Sequence, residues 1–193
     1  MHGFTPCSSF LCERKDVEIV PELVEVETAK RILEPQLSGC MIDDVEIGLA
    51  KVIRNCAPEE FRRCAIGSRF DTVLRRGKFL IFNMITSEDA ELKFVVHFRM
   101  TGVLLITLPG YEQIKHTHVV FKLSGAAGDK RELRYIDQRR FGGIWIVRTG
   151  TEFAATGIGE LGAEATDDTL SADYLRERLA KRGTAIKTGL LSS

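Results

Sequence analysis

The clearest structural signal in the chain is the sequence RFDTVLRRGKFLIFNM, residues 69–84. Its two ends, Arg69–Leu74 and Phe79–Met84, are rich in β-branched and aromatic residues, which favour strands. Two arginines, a glycine and a lysine lie between them, and a glycine in a short polar segment is typical of a tight turn. The sequence therefore predicts a β-hairpin whose turn presents solvated basic side chains.

Segments of the same kind continue on both sides of this hairpin. A short helix is expected at Pro58–Cys64, and the turn-like sequence SGAAGD at residues 124–129 separates two further strands. The other predicted strands are Met41–Ile53, Leu92–Phe98, Val103–Thr107, His118–Leu123, Glu132–Ile136 and Gly143–Val147. Closely spaced strands with little helix between them indicate an antiparallel β-sandwich or barrel.

Helical patterns flank the β-rich region. Apolar residues recur at helical spacing from Glu22 to about Gln36, and Gly39 supplies a stop. Ser171 is placed to cap a later helix that runs to about Lys181. The predicted fold class is therefore α+β, in which an N-terminal helix precedes an antiparallel sandwich or barrel with a second helix, followed by the truncated start of a helical domain.

This interpretation divides the chain into three parts. Residues 1–19 have no periodicity and are expected to be an unstructured leader. Residues 20–160 form the β-rich domain, and residues 161–193 form a linker and the start of the helical domain.

Charge is distributed unevenly along the chain, although its 27 basic and 27 acidic residues cancel. Residues 71–148 contain 13 basic and 8 acidic side chains, which leaves a surplus of five positive charges. Zero net charge argues against a nucleic-acid-binding protein, whereas a basic patch is what phosphate binding requires. The patch alone is equally compatible with a solvated face.

The cysteines do not form a recognisable framework, because none belongs to a C-x-x-C pair. We therefore expect free thiols and neither disulfides nor a zinc site. No apolar run approaches the roughly 18 residues that a membrane span needs. The N-terminus also lacks the pattern of a signal peptide, so we expect a cytoplasmic protein with no membrane contact. The five cysteines are Cys7, Cys12, Cys40, Cys56 and Cys64.

Six short segments occur in an order and at a spacing that chance does not produce. They are PELVEVET (21–28), RRGKFL (75–80), HFRMTG (97–102), KHTHV (115–119), RYIDQRRFGG (134–143) and TAIK (184–187). Together they resemble formamidopyrimidine-DNA glycosylase, a family related to endonuclease VIII, from Pro21 to the end of the chain. The resemblance implies a base-excision repair DNA glycosylase/AP lyase. Such an enzyme removes oxidised purines, such as 8-oxoguanine and formamidopyrimidines, from damaged double-stranded DNA, and it acts as a monomer.

Three residues match the catalytic positions of that family. Pro21 matches the nucleophile, whose imino group attacks the sugar C1′ and forms a cationic iminium that drives β-elimination. Glu22 matches the general acid/base, and Lys78 matches the lysine associated with elimination and with a backbone phosphate. Without the resemblance, Glu22 is an acid suited to a helix N-terminus and Lys78 is a solvated turn residue.

A second group matches family positions that contact DNA. Met100, Arg139 and Phe141 match side chains that fill the gap left by an extruded nucleotide, since an enzyme acting on a base must take it from the stack. Core packing is the alternative for the methionine and the phenylalanine. The remaining expected DNA contacts are His116, His97, Arg182 and Lys187.

Two of these assignments have structural alternatives. His116 and His118 share a strand face, as a metal-binding pair would, but no third ligand is evident nearby, so DNA contact by His116 is favoured. Arg182 and Lys187 lie near a helix C-terminus, where the helix dipole alone favours basic residues.

The sequence also departs from the family pattern. Arg99 replaces a small residue of the loop that carries Met100, and Gln138 stands where proline is common. Twenty residues precede Pro21, so its nitrogen is a tertiary amide and is not nucleophilic. We expect translation to begin at residue 20, so that removal of the initiator methionine exposes Pro21.

The C-terminal part of the family pattern is incomplete. The chain ends where the family's helix–two-turn–helix domain begins, and the family's zinc finger lies beyond it. We therefore expect no cofactor within this chain and weak DNA affinity. The resemblance favours two functions, a glycosylase/AP lyase that is impaired or inactive as written and a catalytically silent fragment that binds damaged DNA. A plain β-rich interaction domain with no role on DNA is a third, weaker alternative.

Overall fold

The fold is built on eight β-strands in a computed structural model of the protein. The structure describes residues 20–86, 91–148, 155–164, 167, 170–180, 183 and 185. The strands are β1 (Met41–Ile47), β2 (Arg69–Arg76), β3 (Phe79–Ile85), β4 (Glu91–His97), β5 (Gly102–Thr107), β6 (Thr117–Ser124), β7 (Lys130–Asp137) and β8 (Gly143–Arg148). The α-helices that lie wholly within the described residues are α1 (Leu23–Leu37), α2 (Pro58–Ala65) and α3 (Ala172–Ala180).

The strands follow the order β5-β7-β6-β1-β2-β3-β4-β8, and every neighbouring pair is antiparallel. The two halves of this sheet are β5-β7-β6-β1 and β2-β3-β4-β8. They are joined at a single paired position, Met41 on β1 with Arg69 on β2. Phe94 and Phe121 come from opposite halves, yet their ring centroids lie only 6.0 Å apart. The halves therefore face each other across a shared core, which confirms the predicted antiparallel sandwich.

Helix α2 closes one end of this core. Pro58 occupies its first turn, where the missing N–H is not needed. Phe61 on its inner face is fully buried, and its ring lies 5.6 Å from Phe94 and 6.1 Å from Phe121. One aromatic side chain thus ties the helix to both halves of the sandwich.

Helix α1 packs its apolar face against β2. Val26, Leu33 and Leu37 on that face are buried. The carboxylate of Glu25 accepts the N–H of Glu22 at 3.0 Å, which satisfies a backbone donor at the N-terminus. The helix therefore begins at the segment that contains Pro21 and Glu22, as predicted.

One strand prediction was too long. The segment Met41–Ile53 was expected to be a single strand, but β1 ends at Ile47 and a 3-10 helix follows at Ala50–Val52. Val52 and Ile53 are buried, so their apolar character imitates a strand although only Ile53 forms an isolated bridge, to Ile144.

The segment after the sandwich packs back onto its outer face. Ile158 begins a 3-10 helix, Ile158–Glu160, and is buried with Phe79, Ile81, Val95 and Val147. The hydroxyl oxygen of Ser171 accepts the N–H of Tyr174 at 3.1 Å, so the predicted cap of α3 is present. No helix among the described residues is long and apolar enough to cross a membrane.

Candidate functional site

The β2–β3 turn brings Lys78 to the start of α1. Gly77 adopts a φ of +56°, a conformation that glycine accepts readily, and the tight turn leaves Lys78 projecting from its tip. The ammonium group of Lys78 forms an ion pair with the carboxylate of Glu22. Pro21 precedes Glu22 and is buried, and its nitrogen is joined to Val20 by a peptide bond. The three residues expected to be catalytic therefore lie together.

The carboxylate of Glu164 stabilises the same turn. This carboxylate binds Arg75 at 2.7 Å and Arg76 at 2.9 Å, and it also accepts the N–H of Gly77. Burial opposes the ionisation of Glu164, but these donors outweigh it and lower the pKa of the carboxyl. Arg75 also pairs with Glu27 on α1 at 2.9 Å. The expectation of solvated arginines in this turn was wrong, because both are occupied in ion pairs within the fold.

Four of the residues expected to contact DNA, Met100, His116, Arg139 and Phe141, lie on three neighbouring loops. We call them the Met100 loop (residues 98–101), the His116 loop (residues 108–116) and the Phe141 loop (residues 138–142). Phe141 is 55% exposed, and the guanidinium of Arg139 lies 5.0 Å from its ring centroid. Core packing therefore does not explain Phe141. An open depression beside it is lined by Arg54, Arg99, Met100, Phe141 and Trp145.

Each loop contains one non-glycine residue with a positive φ. The angles are +54° at Arg99, +65° at His116 and +60° at Arg140. Side chains disfavour this left-handed region, and such residues persist where surrounding contacts over-determine the backbone. Arg99 stands where the resemblance implies a small residue. Its positive φ explains why glycine would suit this position.

His97 connects the Lys78 turn to the Met100 loop. Its ring meets Phe79, the residue after Lys78, edge to face with centroids 4.4 Å apart. Its Nδ1 accepts the N–H of Arg99 at 2.9 Å. Burial, together with the charges of Arg99 and Lys78, lowers the pKa of His97 to about 4, so the ring is neutral at pH 7. Only 8% of the residue is exposed.

The two histidines of the H-x-H pair have different environments. His118 directs Nε2 to the backbone oxygen of Asp137 at 2.8 Å, whereas His116 is half-buried in its loop. No group of three or more potential metal ligands occurs in the part of the chain that the structure describes. Arg182 and Lys187 lie outside the described residues.

Two buried or half-buried residues that the sequence analysis did not single out support the loops. Arg54 donates to the backbone oxygens of Phe141, at 2.9 Å, and of Gly142. Asp137 accepts hydrogen bonds from both the Met100 and the Phe141 loops. Arg54 was not detectable from a local pattern, because it acts on residues 87 and 88 positions away. Asp137 lies within the quoted RYIDQRRFGG segment, but its contact with Thr101 appears only in the fold.

Glycines allow the Phe141 loop to lie this close to the sandwich. A β-carbon at Gly142 would come within 2.6 Å of the backbone oxygen of His97. One at Gly143 would come within 2.6 Å of the Arg54 side chain. The backbone contact excludes a β-carbon at Gly142, whereas a β-carbon at Gly143 would require the Arg54 side chain to move.

Part of the basic surplus is also structural. Arg134 binds Glu132 at 2.6 Å and donates to the backbone oxygens of Tyr111 at 3.0 Å and Glu112 at 2.8 Å. It therefore anchors the His116 loop and is not available as a surface charge. The positive charge beside the candidate site is accordingly smaller than the sequence count suggests.

Comparison with known proteins agrees with this arrangement. The model of the formamidopyrimidine-DNA glycosylase N-terminal domain matches residues 20–144. Formamidopyrimidine-DNA glycosylase of Pelotomaculum thermopropionicum is 39% identical over 172 residues, which cover 89% of this chain and 59% of the relative. The Bacillus subtilis protein of the same name is 36% identical over 173 residues and is covered to the same extents.

A solved structure shows the same fold. Lactococcus lactis Fpg, crystallised with DNA containing an abasic site, superimposes with a TM-score of 0.78 at 27% identity, and the match covers 89% of this chain and 60% of that one. The chain thus spans about three-fifths of the length of the proteins it matches. Because the family model covers most of the sandwich and the relatives are 36–39% identical over 89% of this chain, the chain belongs to the formamidopyrimidine-DNA glycosylase family.

Proposed function

We propose that this chain carries the catalytic part of a DNA glycosylase/AP lyase that removes oxidised purines from double-stranded DNA. Its substrates would be lesions such as 8-oxoguanine and formamidopyrimidines. The observation that carries the proposal is the ion pair between Glu22 and Lys78 beside Pro21, in a turn that His97 connects to the Met100 loop through its contacts with Phe79 and Arg99.

The chemistry begins at the nitrogen of Pro21. As this nitrogen bonds C1′ of the damaged nucleotide, the bond from C1′ to the base breaks and the base leaves with its electron pair. The amine proton passes to the carboxylate of Glu22 and then to the ring oxygen of the sugar, whose opening produces an iminium ion. The iminium carries no nitrogen proton to lose, so it stays cationic and acidifies the C2′ proton. Removal of that proton expels the 3′ phosphate and cuts the strand.

Lys78 assists these reaction steps through its positive charge. An ammonium group next to Glu22 keeps the carboxylate oriented and is placed to neutralise phosphate as the strand breaks. The turn that presents it is braced by Glu164 on one side and by α1, through Arg75 and Glu27, on the other.

Extrusion of the nucleotide is assigned to the Met100 and Phe141 loops. Unstacking a base requires a few kcal/mol, and inserted apolar side chains offset part of it. Met100 and Phe141 would supply the apolar wedge, and Arg139 would face the unpaired base. His116, Arg182 and Lys187 are proposed to contact the phosphate backbone.

His97 receives a different role from the one expected. Its ring is buried and neutral, and its Nδ1 is occupied by the N–H of Arg99. We therefore propose that it supports the Met100 loop from within and does not reach phosphate itself.

The peptide bond between Val20 and Pro21 sets a condition for this chemistry. An amide nitrogen delocalises its lone pair into the carbonyl and cannot attack C1′. Catalysis therefore requires a form of the protein in which Pro21 is the first residue. The same bond favours a second candidate function, binding of damaged DNA without catalysis.

Borohydride trapping on an oligonucleotide duplex with one abasic site separates the two candidates. A chain beginning at Pro21 should form a covalent adduct, and the chain beginning at Met1 should not. The chain beginning at Met1, whose Pro21 nitrogen is an amide, is the control for the nucleophile, and the Glu22→Gln variant of the chain beginning at Pro21 is the control for the acid/base. Retention of both forms on DNA, with no adduct from either, would leave only the binding function.

A further inference from the structure

Asp137, the last residue of β7, lies beneath the loops that carry the proposed wedge residues, and it is completely buried. One carboxylate oxygen accepts the hydroxyl of Thr101 at 2.6 Å. The other accepts the N–H of Gly142 at 2.9 Å and the hydroxyl of Tyr135 at 3.2 Å. A single carboxylate thus joins the Met100 loop to the Phe141 loop.

The connections extend to the third loop through the backbone of the same residue. The N–H of Asp137 donates to the backbone oxygen of His116 at 3.1 Å, and its own oxygen binds the ring of His118 at 2.8 Å. Thr101 completes the network, because its hydroxyl oxygen also accepts the N–H of Arg139 at 3.0 Å. Every loop expected to contact DNA is therefore bonded to Asp137.

We infer that Asp137 is a positioning residue that fixes the three loops relative to one another before DNA binds. It would act through Met100, Arg139 and Phe141, and it does not touch DNA itself. The inference rests on the function proposed above, because it assigns Asp137 to the extrusion step.

The surroundings of the carboxylate support this role. No salt bridge to Asp137 occurs among the described residues, and the donors around its carboxylate are neutral hydroxyl and amide groups. A buried polar network in which each member is hydrogen-bonded rigidifies the structure around it. The positive φ angles of Arg99, His116 and Arg140 need the kind of over-determined support that this network provides.

Binding by the full chain tests the inference without requiring catalysis. The probes are a duplex containing one tetrahydrofuran abasic-site analogue and the same modified strand without its complement. Asp137→Asn keeps the side-chain shape but places an NH2 group where one acceptor stood. We expect about tenfold weaker binding to the duplex and unchanged binding to the single strand, from which nothing need be extruded.

Two further comparisons guard against a loss of folding. Asp43→Asn alters another hydrogen-bonded aspartate, bound to Ser124 and Lys130, and should leave the ratio of duplex to single-strand affinity unchanged. Thr101→Val removes the hydroxyl at constant shape, whereas Thr101→Ser keeps it. The valine variant should reproduce the effect of Asp137→Asn, and the serine variant should not.

A measurement without DNA separates this inference from the proposed function. Trypsin should cleave after Arg99 and Arg140 at least several-fold faster in Asp137→Asn and Thr101→Val than in the unsubstituted chain. If the unsubstituted chain binds the lesion duplex no better than the single strand, the proposed function fails and the extrusion role falls with it. If it discriminates and the variants match it in both affinity ratio and cleavage rate, only the inference is overturned.

Discussion

The Glu22–Lys78 ion pair is the residue-scale feature on which the proposed chemistry depends. The two side chains are 58% and 44% exposed, and exposed pairs contribute only about 0–1 kcal/mol to stability. We therefore expect Glu22→Gln to change the free energy of unfolding by less than about 1 kcal/mol while abolishing adduct formation by a chain that begins at Pro21. Urea unfolding and borohydride trapping measure the two effects. A large loss of stability would assign Glu22 to helix capping instead.

His97 gives the protein a distinct pH dependence. The ring has a pKa of about 4 in the folded protein and about 6.5 in the unfolded chain. Between these values the unfolded chain takes up a proton that the folded protein does not, so the free energy of unfolding falls as the pH is lowered from 6.5 to 4. The buried, neutral ring contributes about 3 kcal/mol to the free energy of unfolding. This contribution is complete above pH 6.5 and is lost as the pH falls to 4.

The His97→Asn variant isolates this contribution. The amide oxygen can still accept the N–H of Arg99, but the side chain no longer titrates. Urea unfolding at pH 7, 5 and 4 should therefore show a smaller loss of stability in the variant. Parallel pH profiles for the two proteins would contradict the buried, neutral state of the ring.

At the scale of elements, the β2–β3 hairpin depends on a carboxylate 87 residues further along the chain. Glu164→Gln removes the charge that binds Arg75 and Arg76, both of which are largely shielded from water. We expect the free energy of unfolding to fall by about 2 kcal/mol. Borohydride trapping on abasic DNA should also be slower, because the turn that carries Lys78 becomes less rigid. Glu160→Gln, an exposed residue of the same segment, is the matched control for unfolding and trapping. Equal unfolding midpoints for both variants would show that the contacts of Glu164 with the β2–β3 turn do not stabilise the fold.

At the scale of the whole molecule, the aromatic core makes the two halves of the sandwich one cooperative unit. Phe94→Ala opens a cavity among Phe61, Phe70 and Phe121 and should reduce stability by about 3–5 kcal/mol in a single transition. Phe141→Ala deletes an exposed ring that contacts Arg139 and should reduce it by no more than about 1 kcal/mol. Thermal and urea unfolding of the Phe94→Ala and Phe141→Ala variants measure the two losses of stability. Two separate transitions in the Phe94→Ala protein would mean that the halves unfold independently.

Much of this molecule was predictable from local patterns, and the exceptions share a cause. Alternating apolar residues and turn signals predicted the strands, and the motifs named the residues that the fold brings together at the Lys78 turn and the Met100 and Phe141 loops. The pattern failed at Val52 and Ile53, where burial against β8 gives an apolar sequence without a continuous strand. It also missed Asp137 and Glu164, because the partners that reveal their roles, Thr101 for Asp137 and the Arg75–Gly77 turn for Glu164, are brought to them only by the fold.

Gly142 and Gly143 set limits on how the site can vary. Residues 138–141 are exposed, so evolution or design can exchange the tip of this loop. At Gly142 a β-carbon would collide with the backbone oxygen of His97, whereas at Gly143 it would displace the side chain of Arg54. New properties of this loop must therefore arise from side chains at its tip, while the backbone at Gly142 keeps its present path.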